Sequence, residues 1–271
     1  MSVDPSWDPS WDLAVIGAGI AGLTAARVAA DRGLRVCAWD ALSPGGRLVN
    51  IGEVVGYPGV RTTGPDLMSA LLEEAMGAGV EIAYGEVTGL SPGFTLATGE
   101  GDVTARAVVV ATGLTDGRLD VPGDWTGRGV ATCATCDGPL YAGTPVVVVG
   151  DDEWAAHEAR ELTAFASQVT IVAPGEPRWS AAPDGIEVRR GTVRAVLGED
   201  RVTGLALVDG AELEAGGVFV YTGAEPRTEL LSDTPGLFAA GDVAGTTPYL
   251  VAAAADGLRA GLAAVDLLED S

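Results

Sequence analysis

The segment Leu13-Ala14-Val15-Ile16-Gly17-Ala18-Gly19-Ile20-Ala21-Gly22 constrains this chain more than any other. Its four apolar residues make a short buried strand, glycines turn the chain, and a helical pattern runs from Leu23 to Arg32, closed by Gly33. Arg35 to Trp39 reads as the next strand. Strand, helix and strand within about thirty residues form a βαβ unit, which requires a parallel sheet. The glycine spacing adds a chemistry. Gly17 permits the tight turn, Gly19 lets a pyrophosphate approach the backbone, and Gly22 lets helix and strand pack closely. The helix N-terminus supplies unpaired N–H groups and a positive dipole end for phosphates. Asp40, 18 residues after Gly22, ends the second strand and can accept from ribose hydroxyls.

The same grammar returns about 133 positions later, with a strand over 145–150, a helix over 153–167 and a strand over 168–172. Two such starts imply an α/β fold of two doubly wound, Rossmann-like domains. Two further strands end in tight turns, Ala107 to Gly113 and Gly217 to Gly223. A short strand and turn at 236–242 precede an Ala-rich helix from about Pro248 to Leu268. Residues 4–12, Asp-Pro-Ser-Trp-Asp-Pro-Ser-Trp-Asp, read as an extended lead-in with a Trp pinned to the surface.

Charge removes several function classes. Thirty-eight acidic residues against sixteen basic ones, all Arg, give a net −22, which repels nucleic acid and anionic membranes. No run approaches the roughly 18 apolar residues of a membrane span. The start, Met1 to Asp12, is acidic and carries no secretory pattern, so a cytoplasmic location is expected.

Cys133-Ala134-Thr135-Cys136-Asp137-Gly138 is the second chemical signal. Two cysteines separated by two residues can close a small disulfide, and a helix N-terminus favours the thiolate. Asp137 is placed to give or take the proton that thiol exchange requires. A metal centre needs more ligands, and neither Cys37 nor His157 supplies a second pair, so no metal is expected. Cys37 lies in a strand and reads as an inert core thiol, and His157 as a surface or packing residue.

Together these features resemble the pyridine-nucleotide-disulfide oxidoreductase superfamily, and within it the low-molecular-weight thioredoxin reductases. The resemblance covers nearly all the chain after the lead-in. It implies that Gly17, Gly19, Gly22 and Asp40 bind FAD, and that Gly45-Gly46-Arg47-Leu48, with Glu53 and Tyr57-Pro58-Gly59, is the flavin-contacting loop. Thr112 and Gly113 match the second strand–turn motif, and Gly241-Asp242 the late motif whose Asp meets the ribityl chain. The final helix would then point its N-terminus at the flavin ring. By the same resemblance Cys136 faces the flavin, Cys133 attacks the partner disulfide, and Asp137 is the acid–base group. The FAD domain is then discontinuous, 1–117 with 226–271, and a nucleotide-type domain, 118–225, is inserted in it. The crossings near 118–123 and 223–226 act as hinges. The implied partner is a thioredoxin-like protein or a small dithiol or disulfide, and the implied assembly a homodimer.

One part departs from the family pattern. Where the second glycine fingerprint would bind NADPH, the chain reads Gly150-Asp151-Asp152-Glu153-Trp154-Ala155, placing three carboxylates where an anion must sit. After the next strand, Val172 to Pro177 carries no basic cluster, and Arg178 is the nearest cation. NADPH is therefore expected to bind poorly or not at all, with ferredoxin or another donor in its place. Ferredoxins are typically acidic, which sets them against a chain at −22. The alternatives are an oxygen-dependent dithiol oxidase, which usually carries His where this chain has Asp137, and a non-catalytic flavin redox sensor. A flavin monooxygenase or NAD(P)H oxidase has no use for the dithiol.

Overall fold

The computed structural model describes residues 10–54, 57–181, 183–245 and 249–270. Most of the lead-in, and Pro248 at the expected start of the last helix, lie outside them.

The chain opens with β1 (Trp11–Ile16), α1 (Ile20–Ala30) and β2 (Val36–Asp40). The first strand thus starts at Trp11 instead of Leu13. Trp11 pairs with Ala105 and sets its ring edge-on to Trp39, centroids 6.3 Å apart, so the end of the lead-in belongs to the sheet. Next come α2 (Gly64–Gly77), β3 (Glu81–Tyr84), β4 (Val87–Ser91), β5 (Thr95–Thr98) and β6 (Gly101–Val110). Thr63 caps α2 by accepting from Asp66 N–H at 3.2 Å, with Pro65 in the first turn.

Beyond β6 lie β7 (Leu114–Asp116), β8 (Val130–Ala131), the single-turn α3 (Ala134–Asp137), β9 (Pro145–Gly150), α4 (Glu153–Leu162) and β10 (Gln168–Ala173). The helix α4 stops at Leu162, short of the expected Ser167. The chain turns there, and Phe165 O accepts from Gly143 N–H while Ser167 N–H donates to Thr144 O. Then follow β11 (Glu187–Arg190), β12 (Val193–Gly198), β13 (Val202–Leu207), β14 (Glu212–Glu214), β15 (Gly217–Tyr221), β16 (Ala224–Pro226), β17 (Leu237–Ala239) and α5 (Leu250–Glu269).

These elements form two compact units, 1–114 with 226–271, and 115–225. The first holds the sheet β3-β2-β1-β6-β5-β4, with β17 also on β6. The C-terminal half of β6 is parallel to β1 and β17, while its N-terminal half is antiparallel to β5. Strand alternation divides the core. Leu13 and Val15 face α1 and α5, while Ala14 and Ile16 face Trp39, Phe94 and Leu96. The second unit holds the parallel sheet β11-β10-β9-β15-β8 and the antiparallel β12-β13-β14. Here Val146 and Val148 face α3 and α4, and Val147 and Val149 face Leu205 and Leu207 of β13. The run of valines is buried on both faces, as a parallel strand between two layers must be.

Small residues set how closely α5 meets α1. A Cβ at Gly257 would overlap the Ala21 carbonyl oxygen, and one at Gly261 would stand 2.8 Å from that of Ala25. Backbone cannot rotate away as a side chain can, so overpacking of about 1–3 kcal/mol outweighs the roughly 1 kcal/mol of helix propensity that Ala adds. Gly257→Ala is expected to lower stability in urea denaturation, whereas Gly77→Ala, with nothing within 4 Å of its Cβ, is expected to be neutral or stabilising.

Candidate functional site

The first candidate site is built around the N-terminus of α1. Gly17 has φ 103°, a left-handed conformation that favours glycine, and a Cβ there would overlap the Ala111 carbonyl. A Cβ on Gly22 would overlap the Gly17 carbonyl. Gly17 and Gly22 are thus fixed by packing within the protein. Gly19 differs, because the nearest atom to its Cβ position is the Gly45 carbonyl oxygen at 4.0 Å. Its backbone is open to an incoming group. Gly19 is also the N-cap residue, and no side chain caps the helix it begins.

The other expected residues converge on this turn. Asp40 accepts from Ala18 N–H at 3.1 Å and from the amides of Leu42 and Ser43 at 3.1 and 3.0 Å. Gly45 N–H donates to Ala18 O at 2.9 Å, and Gly46, at φ 51°, lies against Gly19. Arg47 lies in a 3₁₀ turn, Gly46–Asn50, and its charge reaches Asp242. Burial pushes the Asp242 carboxyl up from its ordinary value, and Arg47 opposes that shift. Gly241, at φ 76°, packs against Ala21 of α1. Thr112 donates to Arg227 O at 2.8 Å, and Gly113 O accepts from Arg227 N–H at 3.1 Å, which ties the turn after β6 to the returning chain. Tyr57 packs half-buried on the core, while its neighbours Val55 and Gly56 lie outside the described residues.

The second candidate site is the dithiol. Cys133 and Cys136 form a disulfide, with Cys133 buried and Cys136 exposed. Cys133 caps α3, its sulfur accepting from Cys136 N–H at 3.1 Å. The N-terminal end of α3 therefore favours negative charge on the Cys133 sulfur when the pair is reduced. Burial raises the Asp137 carboxyl, so it holds its proton to higher pH than a solvated aspartate. Beneath the motif, Glu158 of α4 is fully buried and accepts from Ala134 N–H at 3.2 Å and from Tyr221 O–H at 2.8 Å. Nothing in the sequence singles out this carboxylate, because its place inside an amphipathic helix reads as solvent-facing until the tertiary neighbours are known.

The third is the N-terminus of α4, the counterpart of the α1 turn. Asp152 caps it, accepting from Ala155 N–H at 2.9 Å. Asp151 forms an ion pair with Arg178 at 2.7 Å, and its backbone carbonyl accepts from Arg178 N–H, also at 2.7 Å. Glu153 accepts from Ser180 N–H at 2.7 Å. The segment 175–180 thus lies across the helix end, with Gly175 placed so that its Cβ would stand 2.5 Å from the Asp151 carboxylate. Where α1 has no side-chain cap, α4 meets its first amides with its own carboxylate.

Cys37 and His157 stay outside these sites. Cys37 is buried between β1 and β3, and burial with nearby Glu81 pushes its thiol up to about 12. His157 stacks on Trp154 at 5.4 Å. Among the described residues no cluster of three or more His, Cys, Asp or Glu could hold a metal ion, and no helix is long and apolar enough to cross a membrane.

The family described as pyridine nucleotide-disulphide oxidoreductase matches residues 11–257. A thioredoxin reductase of Listeria monocytogenes is 34% identical over 300 aligned positions, covering 96% of this chain and 94% of the relative. The solved thioredoxin reductase of Lactococcus lactis superposes with a TM-score of 0.89 at 28% identity, over 97% of this chain and all of that one. A ferredoxin-flavin thioredoxin reductase of Clostridium acetobutylicum superposes with a TM-score of 0.53 at 28% identity, over 96% and 98%.

The thiols differ enough to be counted chemically. After reduction, the folded protein is expected to take up two alkylating groups, at Cys133 and Cys136, and a third only in denaturant, when Cys37 is exposed and its pKa returns to about 8.5. Mass spectrometry of the alkylated protein reads the count, and rapid modification of Cys37 in the folded state would contradict the assignment.

Proposed function

We propose, from the premise that this chain belongs to the pyridine nucleotide-disulphide oxidoreductase family, that it exchanges electrons between FAD and a thioredoxin-like protein or small disulfide without using NADPH. The enzyme class is that of its relatives: a thioredoxin-reductase-like, flavin-dependent disulfide oxidoreductase. FAD is the cofactor of that family, and it supplies an acceptor and donor of electron pairs.

The residues around α1 fit such a group. The amides at the start of α1 and the open face of Gly19 suit its pyrophosphate, and Gly17 and Gly22 hold that turn in shape. Asp40 suits the ribose, and Gly46, Arg47, Thr112, Gly113, Gly241 and Asp242 complete the binding set. At the dithiol, Cys133 is the sulfur that attacks the partner, because α3 favours its thiolate. Asp137 gives the leaving sulfur its proton and takes it back in the reverse step. Cys136 is the sulfur that exchanges with the flavin.

The single observation that carries the donor reading is the closed end of α4. A dinucleotide there would have to displace Asp152 from its cap, at about 1 kcal/mol, and then stand against three carboxylates at a further several kcal/mol. The donor is therefore another electron carrier. The likeness to a ferredoxin-flavin thioredoxin reductase supports this reading, although a net −22 opposes a strongly acidic partner. An oxygen-dependent dithiol oxidase would equally dispense with NADPH, but Asp137, an acid in place of a histidine base, favours the reductive direction. The homodimer is carried over from the resemblance, and the exposed Met76 and Tyr84 beside the edge strand β3 offer apolar surface for it.

Anaerobic titration of the flavin tests the donor. NADPH and NADH at stoichiometric amounts are expected to leave the absorbance unchanged, whereas a dithiol bleaches it. Bleaching by one equivalent of NADPH would overturn the proposal. Cys136→Ser is expected to trap a mixed disulfide at Cys133 and to lower turnover by at least about a thousandfold, while a redox sensor would show no turnover to lose.

A further inference from the structure

Glu158 is a charged-type side chain with no solvent exposure, on a helix packed into a cluster of aliphatic and aromatic residues that includes Phe219 and Tyr221. Such a group is tolerated only where it is hydrogen-bonded or neutral. Its Oε2 receives both of its donors, Tyr221 O–H at 2.8 Å and Ala134 N–H at 3.2 Å, while Oε1 has no hydrogen-bond partner among the described residues. Ala134 is the first residue of α3 and follows Cys133 directly. The carboxyl therefore holds the amide at the point where the redox helix begins, one residue from the sulfur that α3 caps.

We propose that Glu158, supported by Tyr221, is a positioning residue for the Cys133–Cys136 couple that also binds a proton when the couple gains negative charge. Reduction breaks the S–S bond and takes two electrons, which in the enzyme arrive from the flavin. If Cys136 leaves as a thiol and Cys133 stays a thiolate, sulfur binds only one of the two protons that full reduction requires. Glu158 carboxylate takes the second. Disulfide, carboxylate, two electrons and two protons become thiol, thiolate and carboxylic acid, and the charge balances.

The electrostatic setting supports this. Burial is the largest influence on Glu158 and raises its carboxyl, the Tyr221 and Ala134 hydrogen bonds oppose the rise, His157 opposes it, and Glu161 adds to it. From α3, Asp137 is the only ionisable group besides the cysteines, and β9 and β10 carry none. From β15 comes Tyr221, whose phenol is pushed up by burial and by Glu158 and so remains a donor, with Asp116 adding in the same direction. A carboxylate so placed repels a thiolate at Cys133, and the neutral acid does not.

The inference rests on the dithiol being the redox centre, and its test reads the disulfide without reference to the flavin. The FAD-loaded protein, as wild type, E158Q and Y221F, is equilibrated with dithiothreitol from about pH 5 to about pH 9, quenched, alkylated and weighed. Gln keeps an acceptor for Ala134 N–H but cannot ionise. Wild type and E158Q are expected to share one equilibrium constant at the acid end, where Glu158 is protonated. As pH rises past the Glu158 pKa, the wild-type disulfide becomes harder to reduce than that of E158Q, by about tenfold at the alkaline end. Y221F removes a donor from the carboxylate and moves the parting of the curves to higher pH. Curves that coincide throughout, or stay apart by one constant factor, overturn the proposal, because a packing role has no pH dependence. Should E158Q fail to fold, the infrared difference between oxidised and reduced wild type is expected to gain a carboxylic acid band that shifts in Y221F, and its absence is equally decisive. If dithiols fail to bleach the flavin while the curves part as expected, the redox reading fails alone. If the flavin bleaches and the curves stay parallel, the Glu158 proposal fails alone.

Discussion

A helix that springs directly from a buried parallel strand presents unpaired amides at its N-terminus, and the chemistry of this molecule depends on what those amides meet. Among the described residues are two such junctions of like construction, β1 to α1 and β9 to α4. At α1 the capping position is Gly19, which brings no side chain, and no side chain caps the helix. At α4 it is Asp152, whose carboxylate takes the Ala155 amide. One difference, glycine against aspartate at equivalent places, separates a helix end with no side-chain cap from one capped by its own carboxylate. Arg178 and Ser180 then hold the flanking carboxylates, so that the local charge is partnered within the protein.

Much of this was legible in the sequence because glycine and strand periodicity act locally. The α/β fold, the two glycine turns and the Cys-x-x-Cys motif all rest on residues within ten positions of one another. What escaped was set at longer range. Trp11 belongs to β1 because Ala105 and Trp39 receive it, and no feature of an Asp-Pro-Ser-Trp repeat announces either neighbour. The β4–β5 hairpin and the β12–β14 sheet use mixed, half-buried strands whose apolar residues do not alternate cleanly. The helix α4 ends early because Phe165 and Ser167 find backbone partners at Gly143 and Thr144, a tertiary choice that propensity does not see.

Packing between β9, β15 and α4 accounts for the glycine that opens the second unit's strand–helix turn. Gly150 remains glycine although no pyrophosphate is expected beside it, because a Cβ there would stand 2.5 Å from the Tyr221 carbonyl and 2.6 Å from the Ala155 methyl. Tyr221 in turn ends β15 and donates to Glu158, which holds Ala134, which adjoins Cys133. Gly150 is therefore required by packing under the dithiol, whatever binds at the helix end. Position 152 meets no such demand: its side chain points at helix amides, and an aspartate satisfies them better than a glycine can. Gly150 is thus held by contacts within the protein, whereas position 152 is free to carry a side chain that caps the helix. On that account the sheet of the second unit fixes the short helix that carries the disulfide, through Tyr221, Glu158 and Ala134.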